Sequence, residues 1–202
     1  MRYLATAGID QFIDLGAGLP VQGNVHEIAR QVSPSARVVY VDNDPIVLAY
    51  GRSLLADSPN TAVLTADMRE PDKIIASPDL RALIDLSRPT AVLLVAVLHF
   101  ITDAENPAGI VEAFRDVLAP GSYLVLSHLT TDGPPAAAVA RTAEVYASAT
   151  SPMVFRTRDQ IAQFFGGFTL ARPGLVRPWQ WRPEPTDTIH TRWLYAGVGE
   201  TS

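Results

Sequence analysis

The chain has no cysteine. Disulfide bonds, thiolate zinc sites and cysteine nucleophiles are therefore excluded. The sequence also has no run of lysine and arginine, and its net charge of -5 has the wrong sign for a nucleic-acid-binding surface. Its longest apolar run, residues 91–101, includes His99 and is too short to cross a bilayer. We therefore expect neither a nucleic-acid partner nor a membrane partner. The first residues also lack the apolar stretch of a secretory signal, and we expect a cytoplasmic location.

What the chain does contain is the composition of an ordinary globular domain, with 202 residues of which 48% are hydrophobic and 18% charged. This length is enough for one domain with an adequate core. Apolar runs that suit strands alternate with helical patterns, and they lie at residues 11–15, 37–41, 61–65, 90–98 and 122–129. This alternation predicts an α/β fold with a doubly wound, mostly parallel sheet. Two further short strands are predicted at residues 168–172 and 193–198.

A glycine loop follows the first predicted strand, with Gly16 and Gly18 two residues apart. Glycine allows a sharp turn and a close approach to a ligand. A dinucleotide fingerprint would have glycine or alanine where Val21 stands, and Pro20 has no N–H for a pyrophosphate. Asp14 places a carboxylate at the strand end, which repels phosphate and suits an ammonium or a sulfonium. The loop favours an adenosine ligand without phosphate. The alternative is an ordinary strand-to-helix connection.

Polar side chains also stand at the ends of the later strands. Because ligands of open α/β sheets bind at the carboxyl ends of the strands, these residues are candidates for one site. Asp42 is placed to accept the hydroxyls of a ribose, or alternatively to form an Asx turn. Asp67 is placed to accept an adenine amino group, or alternatively to be a solvated loop residue. His99 and His128 stand at the ends of the next two strands.

Several blocks of this sequence resemble the class I S-adenosylmethionine-dependent methyltransferases. The chain is most similar to an actinobacterial family of such enzymes, of largely uncharacterised function, and the likeness covers nearly the whole chain. The general class is matched by Asp14-x-Gly16-x-Gly18, Val41-Asp42, Ala66-Asp67 and Val97-Leu98-His99-Phe100. The actinobacterial family is matched by residues 23–27, 40–45, 94–100, 118–123 and 164–167.

The resemblance implies a Rossmann-like, three-layer αβα domain with strand order 3-2-1-4-5-7-6 and an antiparallel last strand. It implies S-adenosylmethionine as the cofactor. The residues that it assigns to cofactor binding are Asp14, Gly16, Gly18, Asp42, Asn43, Asp67, Met68 and Val97. Members of the family generally carry a segment before the stretch that matches residues 1–7. We therefore expect residues 1–202 to form a single domain whose N-terminal helical lid is missing or truncated.

The methyl acceptor is left open by the sequence. Methyl transfer from a sulfonium depends mainly on positioning, and a base is optional. His99 and His128 are candidates for that base, and the alternative is a hydrogen-bonded structural histidine at each strand end. We expect a small-molecule methyltransferase. The alternatives are a non-catalytic protein that binds S-adenosylmethionine or its product, and a nicotinamide-dependent oxidoreductase. Homodimer and monomer both stay open.

Overall fold

A seven-stranded sheet forms the centre of the fold, and it confirms the predicted order β3-β2-β1-β4-β5-β7-β6. The structure is a computed structural model, and it describes residues 1–19, 23–55, 58–147, 151–183 and 190–202. Pro20 and Val21 lie outside these residues. The strands are β1 (Gln11–Leu15), β2 (Arg37–Asp42), β3 (Thr61–Thr65), β4 (Ala91–Val95), β5 (Tyr123–Leu129), β6 (Phe168–Leu170) and β7 (Leu194–Thr201). The strands from β3 to β5 pair in parallel, whereas β7 pairs antiparallel with both β5 and β6.

Helices cover both faces of this sheet, as the three-layer prediction requires. They are α1 (Arg2–Thr6), α2 (Val25–Arg30), α3 (Pro45–Leu55), α4 (Pro71–Ile75), α5 (Pro78–Leu83), α6 (Pro107–Arg115), α7 (Ala136–Tyr146) and α8 (Arg158–Gln163). On the first face, α1 and α2 share a core with Phe12 and Leu93. On the second face, α4, α5, α6 and α8 share a core with Ile13 and Leu94. No helix among the described residues is both long and apolar enough to cross a membrane.

Helix starts lie at the capping residues that the sequence contains. Asn24 opens α2 with a capping box in which Glu27 accepts the Asn24 N–H at 3.0 Å. The Asp44 side chain accepts the Ile46 N–H at 2.8 Å and so caps α3. Since α2 and α3 each follow a parallel strand, these helices begin at the edge of the sheet where the strands end.

The central strand β4 is shorter than predicted. It ends at Val95, so the prediction of a strand over residues 90–98 was wrong at its C-terminal end. Ala96 adopts a left-handed φ of 55°, and its N–H donates to both the carbonyl and the hydroxyl of Ser127. A 3₁₀ turn at Leu98–Phe100 follows. The apolar run continues past the strand because the turn is itself buried, and hydrophobicity alone does not distinguish a buried strand from a buried turn.

Candidate active site

A cleft of about 450 Å³ lies at the carboxyl ends of the strands from β1 to β4. Seven of the eight predicted cofactor-binding residues line it: Gly16, Gly18, Asp42, Asn43, Asp67, Met68 and Val97. The carboxyl ends of the parallel strands therefore bring together predicted residues that are up to 81 positions apart, from Gly16 to Val97. Asp14, His99 and His128 are not among the residues that line this cleft.

The glycine loop is shaped by two positions with left-handed backbone. Gly16 has a φ of 70°, and a Cβ there would lie 2.2 Å from Cγ2 of Val97. Gly18 has a φ of 64°, but nothing lies within 4 Å of the place where its Cβ would be. The Gly16 N–H donates to the Val41 carbonyl at 2.8 Å, which holds the loop against the end of β2. Glycine is therefore needed at position 16 for its left-handed backbone and for the lack of space for a Cβ beside Val97.

Asp42 joins the glycine loop to the end of β2. One of its carboxylate oxygens accepts the Gly18 N–H at 2.9 Å, and the other accepts the Asp44 N–H at 2.9 Å. The second contact is the Asx turn that the sequence left as an alternative. It is compatible with ligand binding, because each carboxylate oxygen has a second lone pair. The same side chain can shape the loop and accept hydroxyl groups.

Arg69 is a cleft residue that the sequence reasoning missed. Its backbone N–H donates to Oδ1 of Asp67 at 2.9 Å, and its Nε lies 3.5 Å from the same oxygen. Its Nη1 lies 3.1 Å from Oε1 of Glu105. The only signal was its position two residues after Asp67, in the same turn. The side chains of Arg69, Asp67 and Glu105 are about one-third exposed. Their ion pairs therefore fix the orientation of these side chains more than they stabilise the fold.

Asp14 lies behind the glycine loop rather than on the cleft wall. It is on the first face, beside Tyr40 in the register of β1 and β2. Burial, together with the negative charge of Asp42, raises the pKa of Asp14 to about 7. The Tyr40 hydroxyl accepts the His26 N–H at 3.0 Å and lies 2.8 Å from His26 Nδ1. A carboxyl with this pKa changes its charge near neutral pH.

His128 is fully buried, and both of its ring nitrogens are occupied. Its Nδ1 lies 2.6 Å from the Leu129 carbonyl, so Nδ1 carries the proton. Its Nε2 accepts from Nη1 of Arg156 at 2.7 Å. Burial lowers the pKa of His128 to about 3 against the opposing hydrogen bond to Leu129, and the Arg156 charge lowers it too. This geometry does not fit the predicted base, because no lone pair is left to take a proton from an acceptor.

His99 is 4% exposed, and its Nδ1 has no hydrogen-bond partner among the described residues. Its ring lies 4.6 Å from that of Phe100 and 5.6 Å from that of His128, between centroids. Burial lowers the pKa of His99 to about 4, and the Arg156 charge contributes. The structure thus places His99 behind the cleft wall that Phe100 forms. Its role as a base stays a prediction.

The cleft wall after β4 is held between two arginines. We call residues 98–105 the wall segment; two of its residues, Phe100 and Ile101, line the cleft. On one side, Arg69 pairs with Glu105. On the other, Nη2 of Arg156 donates to the Ile101 carbonyl at 3.0 Å and to Oδ1 of Asp103 at 2.6 Å. The guanidinium of Arg156 is buried, whereas the Asp103 carboxylate is exposed, so the bond to the Ile101 carbonyl is the stronger part of this second attachment.

Comparison with known proteins gives a consistent result. The family model described as S-adenosyl methyltransferase matches residues 1–202. A crystal structure of a candidate methyltransferase from Thermobifida fusca YX is 46% identical, with a TM-score of 0.92, and the match covers 100% of this chain and 77% of that one. A DUF574 family protein from Streptomyces avermitilis MA-4680 is 41% identical, with a TM-score of 0.93, over 100% of this chain and 79% of that one.

A more distant similarity links the chain to a carboxy-S-adenosyl-L-methionine synthase from Geobacter metallireducens. It is 33% identical over 128 residues, which are 60% of this chain and 46% of that protein. The chain spans less than half the length of the curated relatives that it matches. The resemblance to the actinobacterial methyltransferase family, stated from the sequence motifs, is confirmed by the family model and by the two solved structures.

Proposed function

This chain belongs to the S-adenosyl methyltransferase family, and we propose that it transfers the methyl group of S-adenosylmethionine to a small-molecule acceptor. The observation that carries the proposal is the cleft in which the glycine loop, Asp42 and Asp67 come together. The net charge of -5 favours a small molecule over a nucleic acid as the acceptor.

The residues of the cleft fit the cofactor. We assign the ribose hydroxyls to the carboxylate of Asp42 and the adenine amino group to that of Asp67. The bare backbone of Gly16 and Gly18 permits close approach of the methionine part. When bound, S-adenosylmethionine supplies an activated methyl group: a lone pair of the acceptor bonds to the methyl carbon, the electrons of the sulfur–carbon bond stay on sulfur, and the acceptor's proton passes to water. The protein's part is to hold the two reactants in line.

The charge of the cleft supports the same ligand. Among the described residues that line it, Asp42, Asp44 and Asp67 are acidic and Arg69 is basic. Such a site attracts a sulfonium and an ammonium and repels a pyrophosphate. The product, S-adenosylhomocysteine, has lost the sulfonium charge, so the acidic cleft holds it less strongly than the substrate. The charge distribution therefore favours product release as well as substrate binding.

The proposal is tested by incubating the protein with trideuteromethyl-labelled S-adenosylmethionine and a metabolite extract. We expect mass spectrometry to find a labelled methyl group on a small molecule. S-Adenosylhomocysteine binding, measured by calorimetry on the same sample, serves as the parallel readout. Binding without any transfer would favour the non-catalytic alternative, and absence of both would contradict the proposal.

Cofactor affinity is expected to depend on pH through Asp14. The carboxyl is half-protonated near pH 7 in the free protein, and a bound cation favours its ionised form. Binding below that pH is therefore coupled to proton release, and affinity should fall by at most about tenfold per pH unit below 7. Calorimetry across that range measures the slope. Asp14→Asn should flatten it, and a slope unchanged in this variant would show that another group titrates.

The same pKa shift has an opposite effect on the unliganded protein. Because folding raises the pKa of Asp14 from 3.8 to about 7, the folded state binds more protons than the unfolded state between these values. The contribution of Asp14 to the free energy of unfolding is therefore lost as pH rises through 7. Asp14→Asn should then be more stable than the parent protein above pH 7 and should bind the cofactor less tightly. A gain in stability together with a loss of cofactor affinity is expected if the carboxyl binds the ligand, and not if it stabilises the fold.

Arg156→Met is expected to loosen the wall segment. Removal of the guanidinium leaves the Ile101 carbonyl and His128 Nε2 without their donor. The free energy of unfolding should fall by about 3 kcal/mol, and the Kd for S-adenosylhomocysteine should rise about tenfold. Arg177→Met is the matched control, because Arg177 donates to the Arg192 and Leu194 carbonyls at 2.7 and 3.3 Å, outside the cleft. Equal losses of affinity in both variants would contradict the assignment.

A further inference from the structure

One residue of the central strand is exposed where its neighbours are not. Val95 is 47% exposed, whereas the four preceding residues of β4 are at most 2% exposed. Strand alternation places it on the first face, in line with Leu93. Val95 is the last residue of β4, and its exposure marks the place on the central strand where the cover provided by the described residues stops.

Val95 shares that face with a set of mostly apolar side chains, within which Ser127 is polar and 7% exposed. The register pairs Val95 with Ser127 of β5 and Ser127 with Ala196 of β7. One step further along β5, Leu129 pairs with Leu194. Tyr123 of β5 and Val198 of β7 belong to the first-face core. Alternation along the two strands therefore puts Ser127, Leu129, Leu194 and Ala196 on the same side of the sheet as Val95. We call this set the apolar floor; its members are Val95, Ser127, Leu129, Leu194 and Ala196.

The apolar floor is next to the cofactor cleft along the chain. Ala96, the residue after Val95, lines the cleft, and its N–H donates to the Ser127 hydroxyl at 2.9 Å. Ser127 thus belongs to the floor and fixes the turn that forms the cleft wall. A molecule on the floor lies beside the end of β4, where Ala96 and Val97 line the cleft. This is the adjacency that a methyl acceptor needs.

The chemistry of the floor is uncharged. None of its five residues is ionisable, whereas the acidic groups Asp42, Asp44 and Asp67 line the cleft beyond Ala96. The nearest carboxyl in the register is Asp14, one row earlier on β1, opposite Leu93. An anionic group placed here would lose hydration and face this carboxyl without a compensating partner from the floor.

We propose that the apolar floor binds the methyl acceptor, and that the acceptor is a small molecule with an uncharged, apolar ring or chain on the side that meets Val95 and Leu129. The inference rests on the proposed function, since it names the substrate class of the same site. The cofactor cleft then recognises charge and hydroxyl groups, and the floor recognises apolar shape. Val95 is a specificity-determining residue for the acceptor, and it has no part in cofactor binding.

The test is a titration followed by NMR of the labelled valine and leucine methyl groups. The probes are 2-naphthol and the matched anion 2-naphthoate, each added in the presence of S-adenosylhomocysteine. We expect 2-naphthol to shift the signals of Val95, Leu129 and Leu194, and 2-naphthoate to bind at least about tenfold more weakly. Equal binding of the two probes, or shifts confined to other methyl groups, would overturn the proposal.

Variants separate the floor from the cofactor site. Val95→Asp should weaken 2-naphthol at least about tenfold and change the S-adenosylhomocysteine affinity less than about twofold. Val117→Asp is the control, because Val117 is a 38% exposed valine that follows α6. Val95→Thr keeps the shape of the side chain and adds a hydroxyl, so it replaces Val95→Asp if the aspartate variant does not fold. We expect Val95→Thr to weaken 2-naphthol binding by about threefold. Unchanged 2-naphthol affinity in the Val95 variants, or an equal loss in Val117→Asp, contradicts the floor, whereas absence of S-adenosylhomocysteine binding in the parent protein contradicts the proposed function instead.

Discussion

Asp42→Ala is expected to weaken S-adenosylmethionine binding by about 10–150-fold. A hydrogen bond to a charged group contributes about 1.5–3 kcal/mol, and tenfold in affinity corresponds to about 1.4 kcal/mol. The substitution also removes the acceptor of the Gly18 and Asp44 N–H groups. The cofactor would therefore lose its ribose partner, and the glycine loop would lose one of its attachments to β2 while the Gly16 bond to the Val41 carbonyl stays. Calorimetry on the folded variant measures the effect.

Asp85→Ala is the matched control for that experiment. Asp85 forms an Asx turn of the same kind, accepting the Ser87 N–H at 3.0 Å, but it lies at the opposite end of β4. We expect it to leave cofactor affinity unchanged. A loss in Asp42→Ala no greater than in Asp85→Ala would assign Asp42 to the turn alone and remove it from the binding site.

Gly16→Ala is expected to lower both stability and cofactor binding. The left-handed φ costs about 1–2 kcal/mol for a residue with a Cβ. The new Cβ would also overlap Val97, whose Cγ2 would be 2.2 Å away, and overpacking of this kind adds about 1–3 kcal/mol. Relief of the overlap must move Val97 or the loop, and both line the cleft. Thermal unfolding and calorimetry report the two losses separately.

Two further variants divide that effect into its causes. Gly18→Ala has a similar left-handed φ but no atom within 4 Å of the new Cβ, so it should show the conformational cost of about 1–2 kcal/mol alone. Gly16→Ala combined with Val97→Ala removes the 2.2 Å overlap with Cγ2 of Val97 and keeps the conformational cost, but Cβ of residue 97 would still lie 2.9 Å from the new Cβ. Partial restoration of stability toward the level of Gly18→Ala is expected. If Gly16→Ala is no worse than Gly18→Ala, the close approach of Val97 has no energetic importance.

The strand ends and the cleft were predictable because their signals are local. The predicted bounds of β1 and β3 agree with the structure, and β2 is one residue longer than predicted. Each of these strands is a short apolar run closed by a polar residue, glycine or a capping residue. Parallel strands bring their carboxyl ends to one edge of the sheet, and this rule alone placed Gly16, Asp42 and Asp67 together.

The positions of side chains relative to the cleft were not predictable in the same way. Asp14 follows Phe12 onto the first face of the sheet, so a strand-end carboxylate came to lie behind the loop instead of in the cleft. The Nε2 of His128 accepts a hydrogen bond from Arg156, which lies 28 positions later in an irregular segment with no periodic pattern. A contact of this kind depends on how the chain after α7 returns to the sheet. Nothing in the local sequence around either residue specifies it.

The place of β7 in the sheet sets an order of assembly. This strand lies between β5 and β6, so β6 stays without a partner until Leu194–Thr201 has left the ribosome. Every described residue that lines the cofactor cleft precedes α8, whereas Leu194 and Ala196 of the apolar floor come with β7. The residues of the cofactor cleft therefore leave the ribosome before those that β7 contributes to the proposed acceptor surface. Because domains generally fold as units, we expect the sheet to be completed only when β7 is available.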